Sequence, residues 1–289
     1  MQKTISLVLG SGGARGLAHI GVIRWLEENG YEIKTIVGCS IGSLVGGVYA
    51  AGKLDLLEEW MRSLSKTDIL LLMDLSWEKG GFVKGDRVIN TLKNLIGETA
   101  IEELKIPYTA VAVNIEEGRE VWIQSGSLFD AIRASSSMPL FFTPFDFRGA
   151  KLIDGGVLNP VPIAPTLGDH TDLTVAVNLG AEASHSGDKP RPNDEITPTA
   201  TPFSERIASF IKKFQTPADE GAKKDWSVYD IAVQSFETMQ NAIARQKIAA
   251  YPPDILIEIP RNACTTFEFD RAAELIELGY QKTKAAFDR

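Results

Sequence analysis

Cysteine and histidine are scarce in this sequence of 289 residues, which holds two cysteines and three histidines. Cys39 and Cys264 are too few to build the disulfide framework of a secreted protein, so we expect a reducing compartment. A catalytic base of the histidine type has only His19, His170 and His185 to draw on. A carboxylate is therefore also a candidate for the catalytic base.

Positive charge is also in deficit, since 30 lysines and arginines face 38 aspartates and glutamates, for a net charge of −8. This balance repels phosphate backbones and gives no long-range attraction to anionic membranes. We therefore expect no nucleic-acid partner.

The N-terminus lacks the apolar region and small-residue cleavage site of a signal peptide. Residues 35–52 carry no charge, but glycine and hydroxyl residues dilute their apolar content, so we do not interpret them as a membrane span. We expect a cytoplasmic protein whose only membrane contact is peripheral and transient.

A Gly-x-Ser-x-Gly motif stands out at Gly38, Ser40 and Gly42, between a β-branched run and a run of small apolar residues. A strand, a sharp turn and a helix are what a nucleophile elbow requires, and the two glycines remove Cβ atoms that would collide at the turn. The alternative is an ordinary glycine-rich connection, because a pattern of five residues also occurs by chance.

The chain before the motif contains a first strand–loop–helix unit. Residues 4–9 form an apolar run of strand length, residues 10–16 are rich in glycine, and a helical pattern follows. With the strand at 33–37 and the elbow, two such units favour a parallel sheet covered by helices. We predict a single α/β domain over residues 1–289.

Further elements follow from the same patterns. Predicted helices lie at residues 54–64, 87–96, 129–135, 227–249 and 271–287, and predicted strands at 108–115, 120–124, 151–153, 173–179 and 255–259. We expect the helices at 54–64 and 87–96 to be scaffold.

An acyl-transfer site needs a nucleophile and donors aimed at the oxyanion, and this sequence offers both. Ser40 is the candidate nucleophile, and the amide of Ile41 can supply one donor. The amides of Gly12 and Gly13 can supply others, because glycines let the backbone approach a substrate oxygen. Arg15 either holds a phosphate or braces the glycine loop.

A glycine loop after a strand is also the dinucleotide signature, but here Arg15 occupies the third glycine position and no ribose-binding acid follows.

The catalytic base has more than one candidate. Ser40, Asp154 and His170 satisfy the order of an α/β-hydrolase triad. Asp154 alone, delivered by an apolar strand into two glycines, is the other candidate, since partial desolvation favours proton acceptance. His19 fits a structural histidine better than a base.

Two further segments have open interpretations. Residues 183–203 are rich in proline and polar residues and predict a mobile loop, and residues 203–214 have the pattern of an amphipathic helix. That helix is either packed on the core or acts as a lid that touches lipid. The phenylalanines 141, 142, 145 and 147 line an acyl pocket or belong to the core.

Four motifs together resemble the patatin-like phospholipase family. They are the glycine loop 10–16, the elbow 38–42, Ser-Ser-Met-Pro at 136–139 and Asp-Gly-Gly at 154–156 with Asn-Pro at 159–160. The sequence is most similar to bacterial members that resemble the esterase domain of neuropathy target esterase, which also carry Arg-Gly-Leu-Ala-His, here residues 15–19, and Thr-Phe-Glu-Phe, here residues 266–269.

The resemblance implies a three-layer α/β/α fold with a mainly parallel sheet. It implies a dyad of Ser40 and Asp154 without histidine, an oxyanion hole at Gly12 and Gly13, and neither metal nor cofactor. The implied substrates are phospholipids or lysophospholipids, whose acyl esters would be hydrolysed. Alternatives are an acyltransferase or thioesterase, since the same acyl-enzyme serves both, and a non-catalytic scaffold or signalling protein that keeps the fold.

Overall fold

The computed structural model describes residues 3–72, 85–183 and 228–288. Within these ranges eight strands form one sheet. The strands are β1 (Thr4–Leu9), β2 (Glu32–Cys39), β3 (Tyr108–Asn114), β4 (Arg119–Ile123), β5 (Phe145–Phe147), β6 (Ala150–Asp154), β7 (Leu173–Ala181) and β8 (Ile255–Pro260). The helices are α1 (Ala18–Glu28), α2 (Ile41–Ala50), α3 (Leu54–Ser63), α4 (Lys66–Leu72), α5 (Asp86–Ile96), α6 (Leu128–Ser135), α7 (Val228–Ala250) and α8 (Ala272–Phe287).

The centre of the sheet is parallel, with β1 between β2 and β7, β8 beyond β7 and β3 beyond β2. Alternate residues of β1 face opposite sides, as the two-residue period of a strand requires. Leu7 and Leu9 belong to the large core beneath α1 and α2, while Val8 packs with Ala244 of α7. Helices therefore cover both faces, and the predicted three layers are confirmed.

Strand β3 brings two chain segments end to end. Its residues 110–114 pair with β4 along one edge. On the other edge β2 runs parallel as far as Cys39 opposite Val111, and β6 runs antiparallel and ends with Asp154 opposite Ala112. The carboxyl ends of β2 and β6 consequently meet at one point of the sheet.

The sequence patterns predicted most of these elements to within two residues. The β5 strand and the short α4 helix were not predicted. The proposed mobile loop at 183–203, apart from its first residue, and the proposed amphipathic helix at 203–214 lie outside the described residues.

The charge-free stretch at residues 35–52 is divided between β2 and α2, as the elbow interpretation predicts. Among the helices that the structure describes, none combines the length and the apolar character needed to cross a bilayer.

Candidate active site

Ser40 occupies the turn between the last residue of β2 and the first residue of α2. Its backbone has φ 56° and ψ −125°, a conformation that L-residues adopt only when their surroundings enforce it. A Cβ atom at Gly38 would lie 2.5 Å from the Gly42 carbonyl oxygen, and one at Gly42 would lie 2.2 Å from the Leu9 carbonyl oxygen. The predicted strand, sharp turn and helix, with glycines that permit close approach, are confirmed.

The Ser40 hydroxyl donates a hydrogen bond to Asp154, with Oγ 2.5 Å from Oδ2. The other carboxylate oxygen, Oδ1, accepts from the Gly156 amide at 2.7 Å and from the Cys39 thiol at 3.8 Å. Asp154 is only 1% exposed. Burial raises the pKa of its carboxyl from 3.8 to about 6, although the hydrogen bonds from Ser40, Gly156 and Cys39 lower it.

This pKa suits a carboxylate that exchanges protons near neutral pH. An ordinary aspartate is too weak a base to take a proton from a hydroxyl, whereas a desolvated one gains basicity and stays ionised at pH 7. The arrangement of Ser40 and Asp154 can therefore support proton transfer from a nucleophilic hydroxyl during acyl transfer.

The two described histidines lie away from this contact. His19 is buried in α1, where its Nε2 is 2.9 Å from the Gly10 carbonyl oxygen, and burial lowers the pKa of its imidazole to about 4. His170 is exposed and precedes β7. It lies at the amino ends of the parallel strands, separated from Ser40 by the length of β1, roughly 15–20 Å. His185 is outside the described residues. The geometry thus does not assemble the triad of Ser40, Asp154 and His170.

The glycine loop lies beside the elbow and is fixed at three points. The amides of Gly10, Ser11 and Ala14 donate to carbonyl oxygens of other segments. In the part of the chain that the structure describes, the amides of Gly12 and Gly13 bond to no other residue. The Ile41 amide opens α2, where the first N–H groups have no partner inside the helix. Gly13 and Ile41 line the same cavity as Ser40, and Gly12 adjoins Gly13 in the loop.

Arg15 lies within the same loop, and its side chain contacts the loop backbone. Its Nε donates to the Gly12 carbonyl at 3.2 Å, its Nη1 donates to the Arg261 carbonyl at 2.7 Å, and its Nη2 lies 3.5 Å from Glu237. The side chain is 11% exposed. These contacts brace the loop, which was one of the two alternatives for this residue.

A cavity of about 170 Å³ opens at Ser40, Gly13 and Ile41. Most of its other lining residues are apolar, namely Leu44, Trp60, Met61, Leu64, Ile69, Leu72, Val88, Ile89, Leu92, Ile132, Met138, Phe142, Phe267 and Phe269. Because so little of this wall is polar, the cavity fits a hydrocarbon chain better than a charged group.

The cavity corrects one sequence-based expectation and bears on a question that the sequence left open. Helices α3 and α5, predicted to be scaffold, form much of its wall. Of the four phenylalanines considered for an acyl pocket, only Phe142 lines the cavity. Phe141 is buried against Phe267 with ring centroids 4.6 Å apart, and Phe145 and Phe147 lie in β5 and pack on the core. For three of the four, the core alternative therefore holds.

Several contacts around the site involve residues that the sequence did not single out for the site. Ser135 accepts a hydrogen bond from the Ser40 amide, and the Ser137 carbonyl accepts one from the Asp154 amide. The Thr266 carbonyl accepts a hydrogen bond from the Ala14 amide, and Thr266 also lines the cavity. These residues belong to the motifs at 136–139 and 266–269 or adjoin them, and the motifs were the only available signal.

Cys39 illustrates how the turn is packed. Its side chain is fully buried, and burial, with the negative charge of Asp154, raises the pKa of the thiol well above its ordinary value. A protonated, inaccessible thiol is unreactive. Cys39 is therefore a small packing residue beside the nucleophile.

Comparison with known proteins shows the family of this chain. Residues 7–167 match the family model described as patatin-like phospholipase. An uncharacterized NTE family protein of Mycobacterium bovis is 37% identical over 319 residues, which cover 95% of this chain and 89% of that protein.

More distant similarities extend to fungal and bacterial proteins. Lysophospholipase NTE1 of Pyricularia oryzae is 26% identical over 283 residues, and the match spans 96% of this chain but 18% of the fungal protein. VipD from Legionella pneumophila is 15% identical with a TM-score of 0.49, over 99% of this chain and 67% of VipD. From its family-model match and its mycobacterial relative, the chain belongs to the patatin-like phospholipase family.

Proposed function

We propose that this protein hydrolyses acyl esters of phospholipids or lysophospholipids, with Ser40 as nucleophile and Asp154 as general base. The observation that carries the proposal is the 2.5 Å contact between the Ser40 hydroxyl and the buried Asp154 carboxylate, made where an apolar cavity opens. The cavity suits the acyl chain, and the contact suits the chemistry at the ester carbon.

In the first half of the reaction, Ser40 Oγ attacks the ester carbonyl while Asp154 takes the hydroxyl proton. The carbonyl oxygen becomes an oxyanion, for which the amides of Gly12, Gly13 and Ile41 are the proposed donors. When the tetrahedral intermediate collapses, the carbon–oxygen bond to the alcohol breaks. Asp154 returns the proton to the departing alkoxide, and the acyl group stays on Ser40.

In the second half, water attacks the acyl-enzyme. Asp154, ionised again, accepts a proton from this water, and the same three amides stabilise the second oxyanion. Breakage of the bond to Ser40 releases the fatty acid, and the proton on Asp154 restores the serine hydroxyl. A carboxylate with a pKa near 6 can perform both transfers, because it is ionised at pH 7 and still basic.

The choice of lipid esters draws on the family as well as on the cavity. The family description names a phospholipase, and the fungal relatives are named lysophospholipases. The match spans 18% of the length of the Pyricularia protein, whose name supports the class of substrate.

The direct test uses a fluorophosphonate probe on the purified protein. We expect labelling of the wild type, none of Ser40→Ala, and release of fatty acid from phospholipid or lysophospholipid by the wild type alone. Absence of wild-type labelling, or equal labelling of Ser40→Ala, would contradict the proposed esterase function. Fatty acid found on an added alcohol instead of in free form would indicate an acyltransferase.

A further inference from the structure

Ser135, the last residue of α6, contacts the backbone of the candidate nucleophile from outside the elbow. Its Oγ accepts a hydrogen bond from the Ser40 amide at 2.9 Å and donates one to the Val111 carbonyl oxygen at 2.7 Å. The side chain has no exposed surface. The hydroxyl therefore joins β3 to the turn through a buried, two-bond relay.

The position of this relay follows from the sheet. Cys39 pairs with Val111, and in a parallel ladder the amide of the next residue, Ser40, would bond directly to the Val111 carbonyl. The chain leaves the strand at Ser40, so the direct bond is not made. The Ser135 hydroxyl stands between the two groups and satisfies both, which a buried amide and a buried carbonyl require.

The other side of the Ser40 backbone is held from within α2. The Ser40 carbonyl oxygen accepts hydrogen bonds from the Ser43 hydroxyl at 2.6 Å and from the Ser43 amide at 2.9 Å. The amide side depends on Ser135 instead. A residue at φ 56° keeps that conformation only while its surroundings enforce it. The hydrogen bonds to the Ser40 amide and to the Ser40 carbonyl are therefore both needed to hold the turn.

We propose that Ser135 is a positioning residue for the reaction, whose hydroxyl fixes the Ser40 backbone so that Oγ faces Asp154. It touches neither substrate nor reacting atoms. Loss of the hydroxyl frees the amide and lets the turn relax, which moves Oγ relative to the carboxylate and the oxyanion donors. The catalytic half of this inference rests on the proposed esterase function, and the structural half does not.

The experiment compares Ser135→Ala with Ser6→Ala as a matched control. Ser6 is equally buried, and its hydroxyl also makes two hydrogen bonds, to Asp169 and Thr171, but it lies in the amino half of β1. Ester hydrolysis, the rate of fluorophosphonate labelling, and deuterium exchange at the Ser40 amide are measured on folded protein. Should Ser135→Ala not fold, Ser135→Cys takes its place, because a thiol of similar size is a weaker donor and acceptor.

For Ser135→Ala we expect kcat and the labelling rate to fall about 10- to 100-fold with little change in KM, the cost of a misplacement near 1 Å. Exchange at the Ser40 amide should accelerate by at least about tenfold, since its buried acceptor is gone. Ser6→Ala should match the wild type in all three. Unchanged kcat and unchanged exchange in the Ser135 variant, or equal losses in Ser6→Ala, would overturn the proposal. If the wild type is not labelled, the esterase function fails, and the exchange measurement alone decides the role of Ser135.

Discussion

Cys39 and Asp154 end two strands that meet on the same edge of β3, opposite its consecutive residues Val111 and Ala112. One strand arrives parallel to β3 and the other antiparallel, so the residue that follows the first and the residue that ends the second come into contact. Ser40 and Asp154 are separated by 114 positions in the chain, yet their oxygens are 2.5 Å apart. The sheet register, rather than a flexible loop, sets this distance.

The first prediction concerns the identity of the base. Asp154→Asn should lower kcat for ester hydrolysis on the order of 10³- to 10⁴-fold, because the amide cannot accept the Ser40 proton. His170→Ala should keep wild-type activity, since His170 is exposed at the amino ends of the parallel strands, the end of the sheet opposite Ser40. Steady-state kinetics on a soluble ester would check both. A folded His170→Ala protein without activity would point to a histidine base.

A second prediction follows from the pKa of Asp154, which burial raises to about 6. The base must be ionised, so kcat/KM should fall about tenfold per unit as pH drops below 6 and level off above it. His19 should not contribute to this limb, because burial lowers the pKa of its imidazole to about 4. A pH profile of kcat/KM would decide, and a flat profile from about pH 5 to 8 would contradict the assignment.

Much of this site could be predicted from the sequence because its central residues carry local signals. The turn at Ser40 requires glycine at positions 38 and 42, because other backbone atoms lie too close at both positions for a Cβ atom to fit. Asp154 ends an apolar strand and precedes two glycines. Such patterns depend on neighbours in the chain, so they are visible without the fold.

Residues that act through tertiary contacts gave no comparable signal. The apolar face of α5 predicts burial, but the pattern does not distinguish a face that packs on the core from one that lines a cavity. Phe145 and Phe147 flank Asp146 in β5, where alternation places them on the core side. The role of Ser135 depends on its position beside Val111, which only the sheet register defines.

The third prediction is that Asp154 lowers the stability of the protein at neutral pH. Its folded-state pKa is raised from 3.8 to about 6, so the folded state favours the protonated form. The contribution of Asp154 to stability is therefore greatest below about pH 4, is lost as pH rises through about 6, and stays low above it. Asp154→Asn, which carries no charge, should therefore gain up to about 3 kcal/mol over the wild type at about pH 8.

Urea denaturation of both proteins measures this difference at about pH 8 and again at about pH 4. The advantage of Asp154→Asn should shrink at the lower pH, where the wild-type carboxyl is protonated in the folded state and partly protonated in the unfolded state. An equal difference at the two pH values would mean that ionisation is not its cause. A variant less stable than the wild type at pH 8 would contradict the prediction outright.

The fourth prediction tests the close approach at the elbow. A Cβ at Gly42 would lie 2.2 Å from the Leu9 carbonyl oxygen, a backbone atom that cannot move aside cheaply. Gly42→Ala should cost at least about 2 kcal/mol of unfolding free energy, the range of overpacking, and should abolish activity. Gly168→Ala is the control, since a Cβ there would meet no atom within 4 Å beyond its two chain neighbours. Urea denaturation and ester hydrolysis measure both variants, and similar behaviour of the two would refute the steric argument.

The last prediction concerns the cavity as an acyl site. Val88, on α5, is half-buried and lines the cavity, whereas Leu95 on the same helix is 37% exposed and does not. Val88→Trp adds bulk inside the cavity. The value of kcat/KM for p-nitrophenyl laurate should therefore fall at least about tenfold relative to that for p-nitrophenyl acetate. Leu95→Trp, with an indole on the same helix but outside the cavity, should leave this ratio unchanged. Kinetics on p-nitrophenyl esters of increasing acyl length measures this ratio. If Val88→Trp lowers kcat/KM equally for the acetate and the laurate ester, the acyl chain does not bind in this cavity, because the short acetyl group would not reach the indole.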